Sequence, residues 1–215
     1  HPDIDARISS SITKVDLETD DVDVVIRFGP GKYENCQSEK LFYEYVTPMC
    51  SPSLLNGEPP IHTPSDLKNH TLIYDDTHVG FFELADWNTW FNEAGVKDED
   101  RGHGTLRFNV ADHSLDAALS GAGVVLGRYA LAQGDIKAGR LVMPFDLKIN
   151  ADFAFFLVYL ENRSDDPNIR AFRDWLMEEI RGTVADDAPV HAVLIKLTAL
   201  LFTDRVGYVL KKINP

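Results

Sequence analysis

Cysteine is scarce. Cys36 and Cys50 are the only two in 215 residues, too few for a disulfide framework, and no charged-then-apolar leader opens the sequence, so a reducing, cytoplasmic setting is the simplest expectation. Long hydrophobic runs are missing too. The longest near the end, residues 192–202, is interrupted by Lys196 and is too short to span a bilayer. Basic residues are in deficit, with 21 Lys and Arg against 34 Asp and Glu, giving a formal charge of −13. That balance argues against a broad nucleic-acid-binding face, so any DNA contact has to come from another segment. Tandem repeats and low-complexity tracts are absent, as are a G-x-S-x-G elbow and an H-E-x-x-H helix.

With 44% apolar and 26% charged residues, the chain has the composition of an ordinary globular protein, long enough for one domain or two small lobes. Strand-like runs at 6–10, 22–28, 46–50, 71–74, 106–109, 124–127 and 153–160 alternate with helical segments, which predicts an α/β sheet protein. Thr63-Pro64-Ser65-Asp66 reads as the capped start of a short helix. Residues 86–94 carry Trp87, Trp90 and Phe91 at helical spacing, and Leu115, Ala118 and Leu119 repeat the pattern before Gly121 and Gly123 stop it. A longer helix is predicted over 167–181, with Ile169, Phe172, Leu176 and Ile180 on one face. Residues 183–189, TVADDAP, read as a linker; a strand at 193–198 and a helix at 204–213 are predicted beyond it.

Residues 21–55 draw attention because two apolar runs there end in short polar loops where a ligand could sit. Val22, Val24, Val25 and Ile26 suit a strand buried on both faces, and Arg27-Phe28-Gly29-Pro30-Gly31 follow it. Open α/β sheets bind ligands at the carboxyl ends of their strands, and a guanidinium there offers a planar fork to an acidic group. A salt bridge to a nearby carboxylate is the plainer use of Arg27. Asp112-His113-Ser114 has the composition of a catalytic triad, but adjacent residues at a helix start do not converge. Gly121-Ala122-Gly123-Val124-Val125-Leu126-Gly127 runs from helix to strand, the reverse of a dinucleotide fingerprint. His62, His70, His78 and His103 lack metal-ligand spacing, so neither a metal nor a cofactor is expected. The two cysteines read as a surface thiol and a small core residue.

The segments HPDIDARISSS, VDVVIRFGPG, EKLFYEYVTPMCSPSLL, TPSDLKNHTLIYDD, DWNTWFNEAGV, LRFNVADHSLDAALSGAGVVLGRY, AGRLVMPFD and IRAFRDWLMEEI, in that order over residues 2–180, resemble the effector-binding region of LysR-type transcriptional regulators. The subgroup most resembled includes glycine-cleavage-system activators. The resemblance implies two Rossmann-like α/β lobes of the periplasmic-binding-protein type II kind, joined by crossover strands, with a small-molecule effector in the cleft between them. It implies domain limits of 1–46 for part of lobe I, 47–158 for lobe II, 159–182 for the return helix of lobe I and 183–192 for a linker. It places Ser9, Ser10, Arg27, Phe28 and Gly29 beside the cleft, faced by Thr47, Asp112, His113 and Ser114, with Asp112 read foremost as a helix N-cap. Such regulators are homo-oligomers and touch DNA through a helix-turn-helix, which is not among these residues.

In that family a strand and helix precede the HPDI-like segment, and here residues 193–215 resemble them. The expectation is a circularly permuted regulatory domain, with Leu201, Phe202 and Thr203 completing the cleft wall; an unrelated extension at 193–215 is the other reading. The expected function is sensing of an acidic or zwitterionic effector, without catalysis. A transport-type solute-binding protein and a small hydrolase are the alternatives.

Overall fold

The computed structural model describes residues 5–10, 15–77, 84–97, 104–185 and 208–214, and of these the backbone alone at 5–10, 181–185 and 208–214. Two units emerge, one made of His1–Tyr43 with Asp152–Pro215 and the other of Glu44–Ala151. The crossings from one to the other fall inside two long strands, β3 (Cys36–Met49) and β7 (Ile149–Leu160). All seven strand-like runs read from residues 6–160 are strands.

Unit 2, residues 44–151, is built on the carboxyl half of β3, then β4 (Leu72–Asp75), β5 (Thr105–Phe108) and β6 (Val124–Arg128), ordered β3-β6-β4-β5. Strands β4, β5 and β6 are parallel, and β3 runs antiparallel to β6. Alternating strand residues face opposite sides. Leu72, Val124 and Leu126 pack with Trp87, Trp90 and Phe91 of α2 (Trp87–Glu93). Ile73 and Val125 pack with Leu115 and Ala118 of α3 (Ala111–Leu119) and Ala132 of α4 (Tyr129–Lys137). Strands β4 and β6 are therefore covered on both faces, which is why Leu72-Ile73 and Val124-Val125-Leu126 read as apolar runs, while β5 is exposed.

Local chemistry sets the ends of these elements. Asp86 accepts from Thr89 N at 2.8 Å and caps α2. Gly121, at φ +81°, ends α3 in a turn where Ala122 N donates to Ala117 O and Gly121 N to Ala118 O. The capped segment at Pro64–Asn69 is a 3-10 turn with a complete capping box between Thr63 and Asp66. The one-turn helix α1 (Pro52–Leu55) and α4 were not legible: one is too short for a period, and Gly134 interrupts the other.

In unit 1 every described pairing is antiparallel: β1 (Asp5–Ser10) with β8 (Tyr208–Asn214), β8 with β2 (Val24–Gly29), and β2 with β7. Leu17, Val22, Val25 and Val158 form one apolar cluster. The long helix, α5 (Pro167–Ala185), buries Ile169, Leu176 and Ile180 as its spacing predicts, leaves Phe172 half-buried, and runs on through 183–185, which were expected to be linker.

The tail departs from expectation. Residues 208–214, placed in a helix by their spacing, form β8, while 193–198 and 204–207 lie outside the described residues. Strand β8 pairs on both edges, Leu210 with Ile8 and with Val24, Val209 with Ser9 and with Val25. The ladder groups of two flanking strands outweigh a helical preference that is weak for Tyr208-Val209. Strand β3 also starts ten residues before its predicted start, because Cys36–Tyr45 is half polar and only Leu41 and Glu44 are buried there.

Candidate functional site

In unit 1, Arg27 sits where β2 nears its end, and its Nη2 donates to the Val15 carbonyl. Its guanidinium carbon also lies 5.3 Å from the centre of the Tyr33 ring, a cation–π contact that ties the turn after β2 to the segment before it. Burial pushes the Tyr33 phenol up, with Arg27 pulling the other way. Two glycines make this packing possible. A Cβ on Gly29 would come within 2.6 Å of Tyr33 Oη, and one on Gly31, at φ +77°, within 2.3 Å of the Phe156 ring. Phe28 packs with Phe155 and Phe153 at centroid separations of 5.0 and 6.0 Å. Ser9 and Ser10 pair through their backbones with Val209 and Tyr208; their side chains, like all of Leu201, Phe202 and Thr203, lie outside the described residues.

In unit 2, Thr47 is fully buried and donates Oγ1 to the Leu147 carbonyl at 3.0 Å. Ser114, also buried, donates to Ala111 O at 2.6 Å. Both hydroxyl hydrogens are spent inside the unit. Asp112 and His113 are exposed in the first turn of α3, and the N-cap is Val110 rather than Asp112. The helix begins two residues earlier than the sequence suggests because Ser114 N already bonds Val110 O.

A second arrangement in unit 2 was not singled out from the sequence. Glu44 has no exposed surface and Arg128 only 7%, and the two form an ion pair at 3.5 Å. Oε1 of Glu44 accepts from Tyr45 N at 3.1 Å and from Ala130 N at 3.0 Å, tying β3 to the start of α4. Burial raises the Glu44 pKa against the pull of Arg128 and these hydrogen bonds. Arg128 ends Val124-Val125-Leu126-Gly127 as Arg27 ends Val24-Val25-Ile26, so the reasoning applied to Arg27 could have found it.

Arg128 also lines a cavity of about 190 Å3 at the carboxyl ends of β4, β5 and β6. Arg107 stands at its edge, 4.1 Å above the Tyr74 ring and bonded to Asp76 at 2.9 and 3.0 Å. Trp87 closes the other side, its Nε1 held by Ile73 O at 3.0 Å. Among the described residues no group of three His, Cys, Asp or Glu could hold a metal ion. Cys50 is buried and its thiol is pushed up to about 11 by burial, so it is a core residue rather than a reactive one.

A profile of the LysR substrate binding domain matches residues 1–181. The chain belongs to the LysR substrate-binding-domain family. It is 38% identical over 177 residues to the glycine cleavage system transcriptional activator of Escherichia coli K12, covering 82% of this chain and 56% of that protein. It thus spans little more than half the length of that relative.

Among solved structures, the effector domain of the transcriptional regulator AmpR of Pseudomonas aeruginosa is 28% identical, with a TM-score of 0.59 over 79% of this chain and 80% of that one. A triply substituted effector binding domain from Citrobacter freundii is 26% identical, with a TM-score of 0.61 over 78% and 79%. The α/β fold is that of LysR effector-binding domains. The LysR profile ends at residue 181, so β8 comes from beyond the family match.

Proposed function

We propose that this chain is the effector-sensing region of a LysR-type transcription regulator, binding a small acidic or zwitterionic molecule. The observation that carries the reading is the family match over residues 1–181 together with the likeness to the AmpR effector domain. Its homologues are transcriptional regulators, so the role is sensing rather than catalysis, in the cytoplasm and within a homo-oligomer. DNA contact falls to the part of those relatives that this chain does not span. That division fits the formal charge of −13.

The mechanism needs only that the effector bind one arrangement of the regulator better than another; the difference in affinity sets how far the equilibrium moves. Arg27 is the anion-holding group of this reading, and Asp112 and His113, exposed in the first turn of α3, are its contacts from residues 44–151, while Thr47 and Ser114 stay buried with their hydroxyl hydrogens held within the unit.

A thermal-shift screen against amino acids, small carboxylates and aromatic acids tests the proposal. A ligand present at about 100 times its Kd stabilises the folded chain by about 2.7 kcal/mol, so one chemical class raises Tm in a dose-dependent way. Arg27→Ala, with Arg27→Lys as the charge-keeping control, loses the shift given by acids. A cooperative melt that no class moves would reject sensing, and an unchanged shift in Arg27→Ala would reject the role of Arg27.

A further inference from the structure

We propose that the slot between β1 and β2 is a strand-acceptor site whose occupant, residues 208–214, is exchanged with a second copy of this chain, each copy seating its β8 in the other's unit 1. The proposal is independent of the effector reading, which rests on Arg27.

The slot is a backbone site. Strand β8 lies between β1 and β2 in the sheet order and pairs antiparallel with both, Val209 and Tyr208 opposite Ser9 and Ser10 on one side and opposite Val25 and Ile26 on the other. Without β8, two strand edges of unbonded N–H and C=O groups would face each other across the slot, and such edges recruit a strand from another chain. Main-chain bonds do not distinguish one copy's 208–214 from another's. The ladder that a second copy supplies is therefore the same ladder.

Two features make β8 the strand that leaves. Of its seven residues only Tyr208, Val209 and Leu210 are in register with β2, and β1, at the end of the sheet order, has no other strand partner among the described residues. A seam that short opens locally at less cost than global unfolding. The family match ends at residue 181 and contains both β1 and β2. The acceptor thus belongs to the matched domain and the donor does not.

Length permits the reach. Residues 186–207 join α5 to β8; a segment of that length spans about 70 Å when extended, against a radius of gyration of about 17 Å for a domain of this size. The same tether holds the chain's own strand at a local concentration of order mM. Own and donated strands make the same bonds, so exchange is governed by concentration: it is minor in dilute solution and grows as copies approach that value. Once exchanged, the tail of one copy sets the register of Ser9 and Ser10 in the other.

Disulfide trapping in the full chain tests the exchange, in a Cys36→Ser background with the buried Cys50 left in place. Opposed residues of an antiparallel pair have Cα atoms about 4.5–5.5 Å apart, within disulfide reach. Chains carrying Ser9→Cys are mixed with chains carrying Val209→Cys and mildly oxidised. The mixture is expected to give a cross-linked pair that neither variant gives alone, with a share rising about tenfold for a tenfold rise in chain concentration well below mM. Arg7→Cys with Lys211→Cys repeats the test at a second register pair, so that one unsettled strand does not decide it. Asp5→Cys with Tyr208→Cys, at opposite ends of the ladder, is expected to give none. Trapping confined to a single chain that carries both Ser9→Cys and Val209→Cys, with no excess in either mixture, overturns the exchange. So does equal trapping by the end-to-end pair, which would report collision, and so does failure of the doubly substituted chain to trap, since β8 would then not occupy the slot. None of these failures touches the effector reading, whose test is the response of acids to Arg27→Ala.

Discussion

The two units reach an α/β fold by different routes. Unit 2 is one uninterrupted stretch, 44–151, in which neighbouring parallel strands carry helices on both faces and leave a cavity at their carboxyl ends. Unit 1 is assembled from two stretches of chain, its described strands are all antiparallel, and one of them, β8, comes from the far end of the chain. In the first case local pattern decides the architecture. In the second a slot between β1 and β2 decides the structure of a segment that local pattern misassigns.

The largest expected effect that separates the units is Trp90→Ala. Trp90 has no exposed surface and packs with Trp87, Phe91 and Phe145, so its truncation should cost about 3–5 kcal/mol. Urea titration followed by hydrogen exchange should show peptides of 44–151 losing protection first, with those of β2, β7 and α5 retained. Simultaneous loss throughout would mean that the units fold as one.

Next is Leu210→Pro, which removes a ladder donor from the middle of β8 and should cost about 1–3 kcal/mol for the groups left unpaired. Protection should fall in β1 and along the β8 edge of β2 and remain in unit 2. If β1 keeps its protection, the tail strand does not hold that edge.

These two variants also mark what could be read from the sequence. Strands β2, β3, β4, β6 and β7 and helices α2, α3 and α5 were legible because each buries apolar residues at a spacing that stands out, as Trp87, Trp90 and Phe91 do. Strand β8 was not, because Tyr208-Val209-Leu210 followed by Lys211-Lys212 satisfies a helical spacing as well as a strand, and its partners lie about 200 residues away. Of the site, Arg27 was visible as a charge ending a buried strand, but not its use on Val15 and Tyr33. The Arg128 cavity was missed because Glu44, Tyr74, Arg107 and Arg128 come together only once the sheet order is known.

A smaller effect is expected from Thr47→Val. It keeps the shape at a fully buried position and loses the bond to Leu147 O, for about 1 kcal/mol. An unchanged urea midpoint would release that hydroxyl for ligand binding.

The smallest effect is in pH dependence. Hydrogen bonds from Thr63 N and His62 N lower the Asp66 pKa. At Asp86 burial acts upward, but the hydrogen bonds from Thr89 and Asn88 and its own backbone together outweigh it. Both therefore add stability that is complete above the unfolded carboxylate range, about 4, and is lost as pH falls through their lower folded values. Glu44 has the opposite sign: its raised folded pKa means that unit 2 gains stability as pH falls from that value towards about 4.3. Glu44→Gln should remove that gain and leave the acid-side loss. If the wild-type chain shows no such gain, Glu44 is not held against ionisation by its burial.

The most direct test of the central claim is amide hydrogen exchange of the intact chain, free and saturated with the small molecule that most raises its Tm. Effector sensing predicts added protection confined to a few peptides, including the turn around Arg27–Tyr33. Exchange that is unchanged everywhere, or slowed equally throughout, would contradict it.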